Sequence, residues 1–156
     1  MIKRQQGLTS VEFALIGLLA MIVMFGVIEI GRLAFVFNAL EEATRRGARV
    51  AAVCQVNDPG IAEVAIFNPS GGGANSALVA GLTTADVVVE YLNQAGATIG
   101  DPIGNFALIR FVRVSINAFN HQLLIPLMGG ALTLPNSVST LPRESLGVWP
   151  GGFSPC

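Results

Sequence analysis

This sequence is poor in charge. Asp, Glu, Lys and Arg make up only 12% of its 156 residues, where soluble domains carry roughly 25%. Nine basic and ten acidic side chains nearly cancel, leaving a net charge of −1. That balance offers no electrostatic footprint for nucleic acid. Aromatic residues are also few, at 7%, and no basic stripe interleaves with them. The one histidine, His121, has no Cys or carboxylate at metal-ligand spacing, so a loop or core position is its expected role. No serine sits in a strand–G-x-S-x-G–helix arrangement, and Asp58, Asp86 and Asp101 follow no calcium-loop pattern. Catalytic residues, metal ligands and cofactor motifs are therefore all lacking, and the reading is of a protein that packs rather than an enzyme.

What is abundant is apolar sequence. Mean hydropathy is +0.62, and residues 13–28 (FALIGLLAMIVMFGVI) are apolar or glycine without exception. Glu12 and Glu29 bound this run, and Ile30 and Gly31 extend it to Arg32. A membrane-spanning helix needs roughly 20 such residues, so the run suffices if Glu29 lies at the far interface or is shielded by protein. A cleaved secretory signal would share the basic start at Lys3 and Arg4. However, no small-x-small cleavage site follows, and the helical pattern continues. A plain anchor would hold Lys3 and Arg4 in the cytoplasm, although Arg32 then lies close to the opposite end.

A third reading starts from Gly7, which is followed by Leu8, Thr9, Ser10, Val11, Glu12 and Phe13. This stretch resembles the class III signal of type IV prepilins. The resemblance implies that a prepilin peptidase cuts between Gly7 and Leu8 at the cytoplasmic membrane face. It also implies that Glu12 is buried among packed helices after assembly, opposite a neighbour's terminal amine. A carboxylate at such depth is costly unless paired, so a functional role is its default assignment. The local alternative is a capping box, with Thr9 as N-cap and Glu12 reaching back to its amide, worth about 0.5–2 kcal/mol.

Beyond Arg32 the periodicity continues without a break. Leu33, Val36, Phe37, Leu40, Ala43, Thr44, Gly47, Val50 and Ala51 form one face; Asn38, Glu41, Glu42, Arg45, Arg46 and Arg49 form the other. Glu41–Arg45 and Glu42–Arg46 are i,i+4 pairs in the favourable orientation, about 0.2–0.5 kcal/mol each. Proline is absent until Pro59, where Asn57-Asp58-Pro59-Gly60 marks a stop. One helix from Thr9 to about Val53 is predicted, roughly 65 Å long at 1.5 Å per residue. Its lower half would lie in lipid and its upper half under a domain.

The VEFAL opening, the FGVIEIGR block, the NAL turn and the alanine-rich A-x-R-x-G-A-R-x-A-A end resemble the N-terminal domain of TadE-like pilus assembly proteins. The major pilin of those systems is far shorter, so length favours a TadE- or TadF-type minor pilin or pseudopilin of a Tad (Flp, type IVb) pilus. The resemblance implies a leader over 1–7, a transmembrane half over 8–31, an amphipathic extension over 32–54 and an extracytoplasmic domain over 55–156. It places the chain in a bacterial inner membrane with its N-terminus cytoplasmic. The implied partners are prepilin peptidase, other pilin or pseudopilin subunits, the inner-membrane assembly platform and membrane lipid. Glu12, Phe13, Glu29 and Arg32 are the candidate packing residues, with assembly along the 33–51 face; Glu29 and Arg32 are also an i,i+3 ion pair in their own right. The competing reading is a single-pass anchored envelope domain that binds a partner without polymerising.

The expected fold class is α+β: the long helix, then a small antiparallel sheet resting on it. Residues 61–67 read as a short helix capped by Asp58, with Pro59 at its first position. Residues 68–73 (NPSGGG) read as a flexible loop, since they lack the context of a phosphate loop. Strands are predicted over 86–92, 106–119 and 137–141, with a bulge between Arg110 and Arg113 because an odd spacing cannot share one face. Residues 121–132, with Pro126 inside, read as a broken helix packed on the sheet. Cys54 ends the long helix and Cys156 ends the chain. A bridge between them would fasten the Pro/Gly-rich tail WPGGFSPC and contribute about 4–5 kcal/mol by loop entropy. Two free thiols or an intermolecular link are the alternatives; an exported chain with two cysteines favours the bridge.

Overall fold

The structure, a computed structural model, describes residues 6–69, 71–124 and 129–156. Lys3, Arg4 and Pro126 fall outside the described residues. Helix α1 runs through Gln6–Val53, 48 residues without a break. No proline interrupts it, and its glycines at 7, 17, 26, 31 and 47 are too widely spaced to break the hydrogen-bond ladder. The helix begins before Thr9, so the amide of Thr9 is already inside it and the capping box proposed with Glu12 is not formed. At its other end the chain turns at Asn57, which adopts φ 62°.

Helix α2, Gly60–Ala65, is shorter than the 61–67 expectation. Pro59 is its N-cap rather than its first helical residue, and Asp58 Oδ1 accepts the Gly60 N–H at 2.8 Å. The strands follow as β1 (Val87–Leu92), β2 (Phe111–Ile116), β3 (Asn120–Gln122), β4 (Ala131–Thr133), β5 (Ser137–Pro142), β6 (Val148–Trp149) and β7 (Gly152–Phe153). The main sheet has the order β1-β2-β5, antiparallel throughout, with Val89 opposite Val114 and Val112 opposite Leu141. This is the α+β layout expected from the sequence.

Two details differ. The predicted strand over 106–119 is divided: residues Phe106–Leu108 form a 3-10 turn, and β2 starts only at Phe111. Arg110 therefore precedes the strand, and the odd spacing to Arg113 needs no bulge. The second correction concerns 121–132, where the described residues form a β-hairpin of β3 and β4 instead of a broken helix. The Thr133 hydroxyl donates to Asn120 Oδ1 at 2.8 Å, and the Leu123 N–H donates to the Gly130 carbonyl at 3.1 Å. Adjacent glycines at 129 and 130 oppose a helix there, each costing about 1 kcal/mol in one.

The sheet packs on the upper half of α1 through β2 and β5. Val112, Val114 and Ile116 alternate onto the buried face, where Ala48, Ala51 and Cys54 of α1 receive the upper sheet and Leu40 and Ala43 the lower. Small residues set how closely the layers approach. A Cβ on Gly47 would lie 2.9 Å from the Ala65 Cβ and 3.1 Å from a Val114 methyl.

The tail closes the top. Cys54 and Cys156 are bonded, 102 residues apart in sequence. The last carbonyls of α1 are met by backbone from the approach to β6: Glu144 and Leu146 N–H groups reach Ala52 O, and Gly147 N–H reaches Val53 O at 2.7 Å. These contacts fill the acceptors that every helix end leaves open. Gly147 has φ 78°, and a Cβ there would sit 2.6 Å from the Gln55 nitrogen, so the contact requires glycine. Asp58 joins both ends, accepting the Cys156 N–H on its second oxygen at 3.1 Å.

Candidate functional site

Two surfaces of α1 differ in what covers them. From Val11 to Ile30 the large apolar side chains stand free of the rest of the protein, Phe13 being 77% exposed. A helix apolar on all sides belongs in a protein core or a bilayer. This one has no core around it. The segment Thr9–Val53 is long and apolar enough to cross a membrane. Gly7 lies within α1 near its start, Glu12 is exposed beside Phe13, and Glu12 makes no ion pair among the described residues.

The 33–51 face is a different matter. Val36, Ala39, Leu40, Ala43, Thr44, Gly47, Ala48 and Ala51 are all buried under the chain's own sheet and α2. The expectation that helices of neighbouring subunits pack along this face is thereby corrected, because the small residues are already used within the molecule. What the upper helix leaves open is the polar side. There Glu41 and Glu42 both pair with Arg45, at 3.5 and 3.4 Å. Arg46 is not paired with Glu42 as expected; its guanidinium lies over the Phe67 ring, 5.9 Å from the centroid.

Between the bare and the covered halves sits Glu29, only 7% exposed. Arg32 Nη1 donates to its Oε1 at 2.7 Å, forming the predicted i,i+3 pair. The sequence did not show the other partners. The Leu124 N–H donates to Glu29 Oε2 at 3.3 Å, and His121 Nε2 lies 3.4 Å from Oε1. At His121 the separation is that of an ion pair, but hydrogen-bond geometry is not met, and among the described residues Nε2 has no hydrogen-bond partner. His121 is 4% exposed, a core histidine on β3 facing the helix. Ninety-two residues separate it from Glu29, and no local pattern reports such a contact. The one usable signal was a lone histidine beside an apolar stretch.

In the upper core, Tyr91 is buried and its phenol oxygen accepts the Asn57 N–H at 3.0 Å, steadying the turn after α1. Burial pushes this phenol above its ordinary value of 10.0; the Asn57 hydrogen bond opposes the shift and the nearby Asp58 charge adds to it. Among the described residues no three His, Cys, Asp or Glu side chains are grouped to hold a metal ion.

A single long helix, bare below and capped by a small α+β domain above, defines a membrane-anchored protein with one N-terminal span. The family model described as TadE-like protein matches residues 7–49. The match lies wholly within α1 and stops short of the domain built on it. That family is one of Tad pilus-related structural proteins. No curated protein and no solved structure matches the chain.

Proposed function

We propose that this protein is a minor pilin or pseudopilin of a Tad (Flp, type IVb) pilus. Prepilin peptidase cuts it between Gly7 and Leu8, and it then waits in the bacterial inner membrane with its C-terminal domain on the far side. The observation that carries this reading is the coincidence of the TadE-like match, which begins at Gly7, with a helix whose apolar half is left uncovered. Such a half must be covered by lipid before assembly and by other helices afterwards. Within lipid there is little hydrophobic gain from association, so close packing and polar pairing must supply it. Glu12 and Phe13 lie on this open half and are the residues offered to a neighbour. The 33–51 face is not, since its own domain occupies it. The partners are therefore other pilin subunits and the assembly platform, reached through the lower helix and the outside of the domain.

Glu12→Ala tests the reading. The variant should insert into the membrane and be cut normally, yet be depleted from sheared pili relative to the unsubstituted protein. Equal incorporation would remove the role assigned to Glu12.

A further inference from the structure

Leu123 and Leu124, which follow β3, lie beside the membrane half of α1, not above it. A cleft of about 170 Å³ between this segment and α1 is lined by Gly26, Glu29, Ile30, Leu33 and Leu123. Gly26 belongs to the uninterrupted apolar run, so Leu123 reaches a level that the spanning segment reserves for lipid. Leu124 follows it and is 68% exposed, the same as Ile30 on the helix. Among the described residues, Ile30 of α1 and Leu124 after β3 are both left exposed beside this cleft.

Two further observations agree. From Val114 to Pro142 the sequence contains no Asp, Glu, Lys or Arg, although charged residues resume at Arg143. An element that meets lipid must be free of charge in this way. The second is the state of Glu29. A carboxylate placed inside a spanning helix is expensive unless it is paired or shielded. Here the hairpin shields it: the Leu124 N–H and the His121 ring approach the two oxygens that Arg32 leaves partly open. The hairpin thus allows a charge to lie at the bilayer edge, and in doing so brings its own leucines to the same depth.

We infer that the β3–β4 hairpin is a second membrane contact, inserting Leu123 and Leu124 into the acyl boundary of the leaflet beneath the C-terminal domain. The partner is the lipid surface itself, continuous with that around α1. Two contacts instead of one fix how deep the domain sits and how it is turned about the helix axis. The inference needs only that α1 spans a membrane, and it stands apart from the pilin reading.

The test uses the full chain in vesicles of phosphatidylethanolamine and phosphatidylglycerol. The native indole is removed by Trp149→Phe, and a single probe is placed by Leu124→Trp or, as a reference on the sheet beside Glu41 and Arg45 of α1, by Val138→Trp. The reference site is also exposed in the structure. Non-reducing intact mass, showing the Cys54–Cys156 bridge, verifies that each variant is folded. Lipids brominated near the top of the acyl chain should quench the probe at 124 several-fold more strongly than the probe at 138. Aqueous acrylamide should show the reverse order. Equal acrylamide quenching at both sites would overturn the inference. So would shielding at 124 from both quenchers that rises with protein density, because the patch would then be covered by a second copy.

Discussion

Gly47→Ala tests whether close approach or helix propensity decides the upper half of α1. Alanine is favoured over glycine in a helix interior by about 0.8–1.0 kcal/mol, so propensity alone predicts a more stable protein. The structure predicts the opposite. The added Cβ meets the Ala65 Cβ at 2.9 Å and a Val114 methyl at 3.1 Å. Neither neighbour can rotate aside cheaply: the first is fixed to the α2 backbone, and the second is a β-branched residue in the central strand. Forcing a methyl into a packed core costs about 1–3 kcal/mol, which exceeds the propensity gain over most of its range. A net loss of about 1 kcal/mol makes an opening reaction roughly fivefold more frequent, since 1.4 kcal/mol is tenfold. The assay is hydrogen exchange by mass spectrometry on the full chain in detergent, read on β2 peptides. Gly31→Ala is the control, because a Cβ there meets nothing within 4 Å. It should leave β2 exchange unchanged while Gly47→Ala accelerates it. Slower exchange in Gly47→Ala would show that the layers are not in contact at this glycine and would refute the packing argument.

Three other perturbations follow from the same structure. Replacing both cysteines, Cys54→Ser with Cys156→Ser, removes a closure spanning 102 residues; urea unfolding should show a loss of up to about 4–5 kcal/mol, with the tail around β6 and β7 exchanging first. Tyr91→Phe leaves the Asn57 N–H without its acceptor and should cost about 1–3 kcal/mol. Because the folded phenol titrates above 10.0, the stability tied to its protonated form is full below that pH and declines as pH rises through the folded value. Stability in the alkaline range should therefore fall more steeply in the native chain than in Tyr91→Phe. Glu29→Leu removes the acceptor of the Leu124 N–H and should speed exchange at 123–124 by about tenfold, as loss of a charged hydrogen bond of about 1.5 kcal/mol requires. Unchanged exchange there would mean that the hairpin is held by its apolar contacts alone.

Much of this architecture was legible because it rests on period and punctuation. A proline-free stretch with apolar positions every third and fourth residue could only be a helix, and Asn57-Asp58-Pro59-Gly60 stops it within a few residues of the observed end. The three strands of the main sheet were marked by runs such as VVVEYL and VRVSI. The hairpin was not, since an apolar stretch with one proline suits either element, and what decides it is the pairing of Asn120 with Thr133. Arg110 was taken into a strand because β-branched and aromatic residues surround it; the 3-10 turn before it is local geometry with no distinct composition. The small-residue face of α1 was visible as a pattern, but pattern does not say whose surface it meets. Its partner proved to be the chain's own sheet. The three-sided enclosure of Glu29 depends on a contact between distant segments, and only the helix-local partner, Arg32, could be read in advance.

The central claim is that this chain enters a pilus system through processing at Gly7. The most direct test is the intact mass and N-terminal sequence of the membrane-extracted protein, expressed with and without its prepilin peptidase. The account predicts a start at Leu8 when the peptidase is present and at Met1 when it is absent. A start at Met1 in both strains would contradict it and leave a membrane-anchored envelope domain that binds a partner without polymerising.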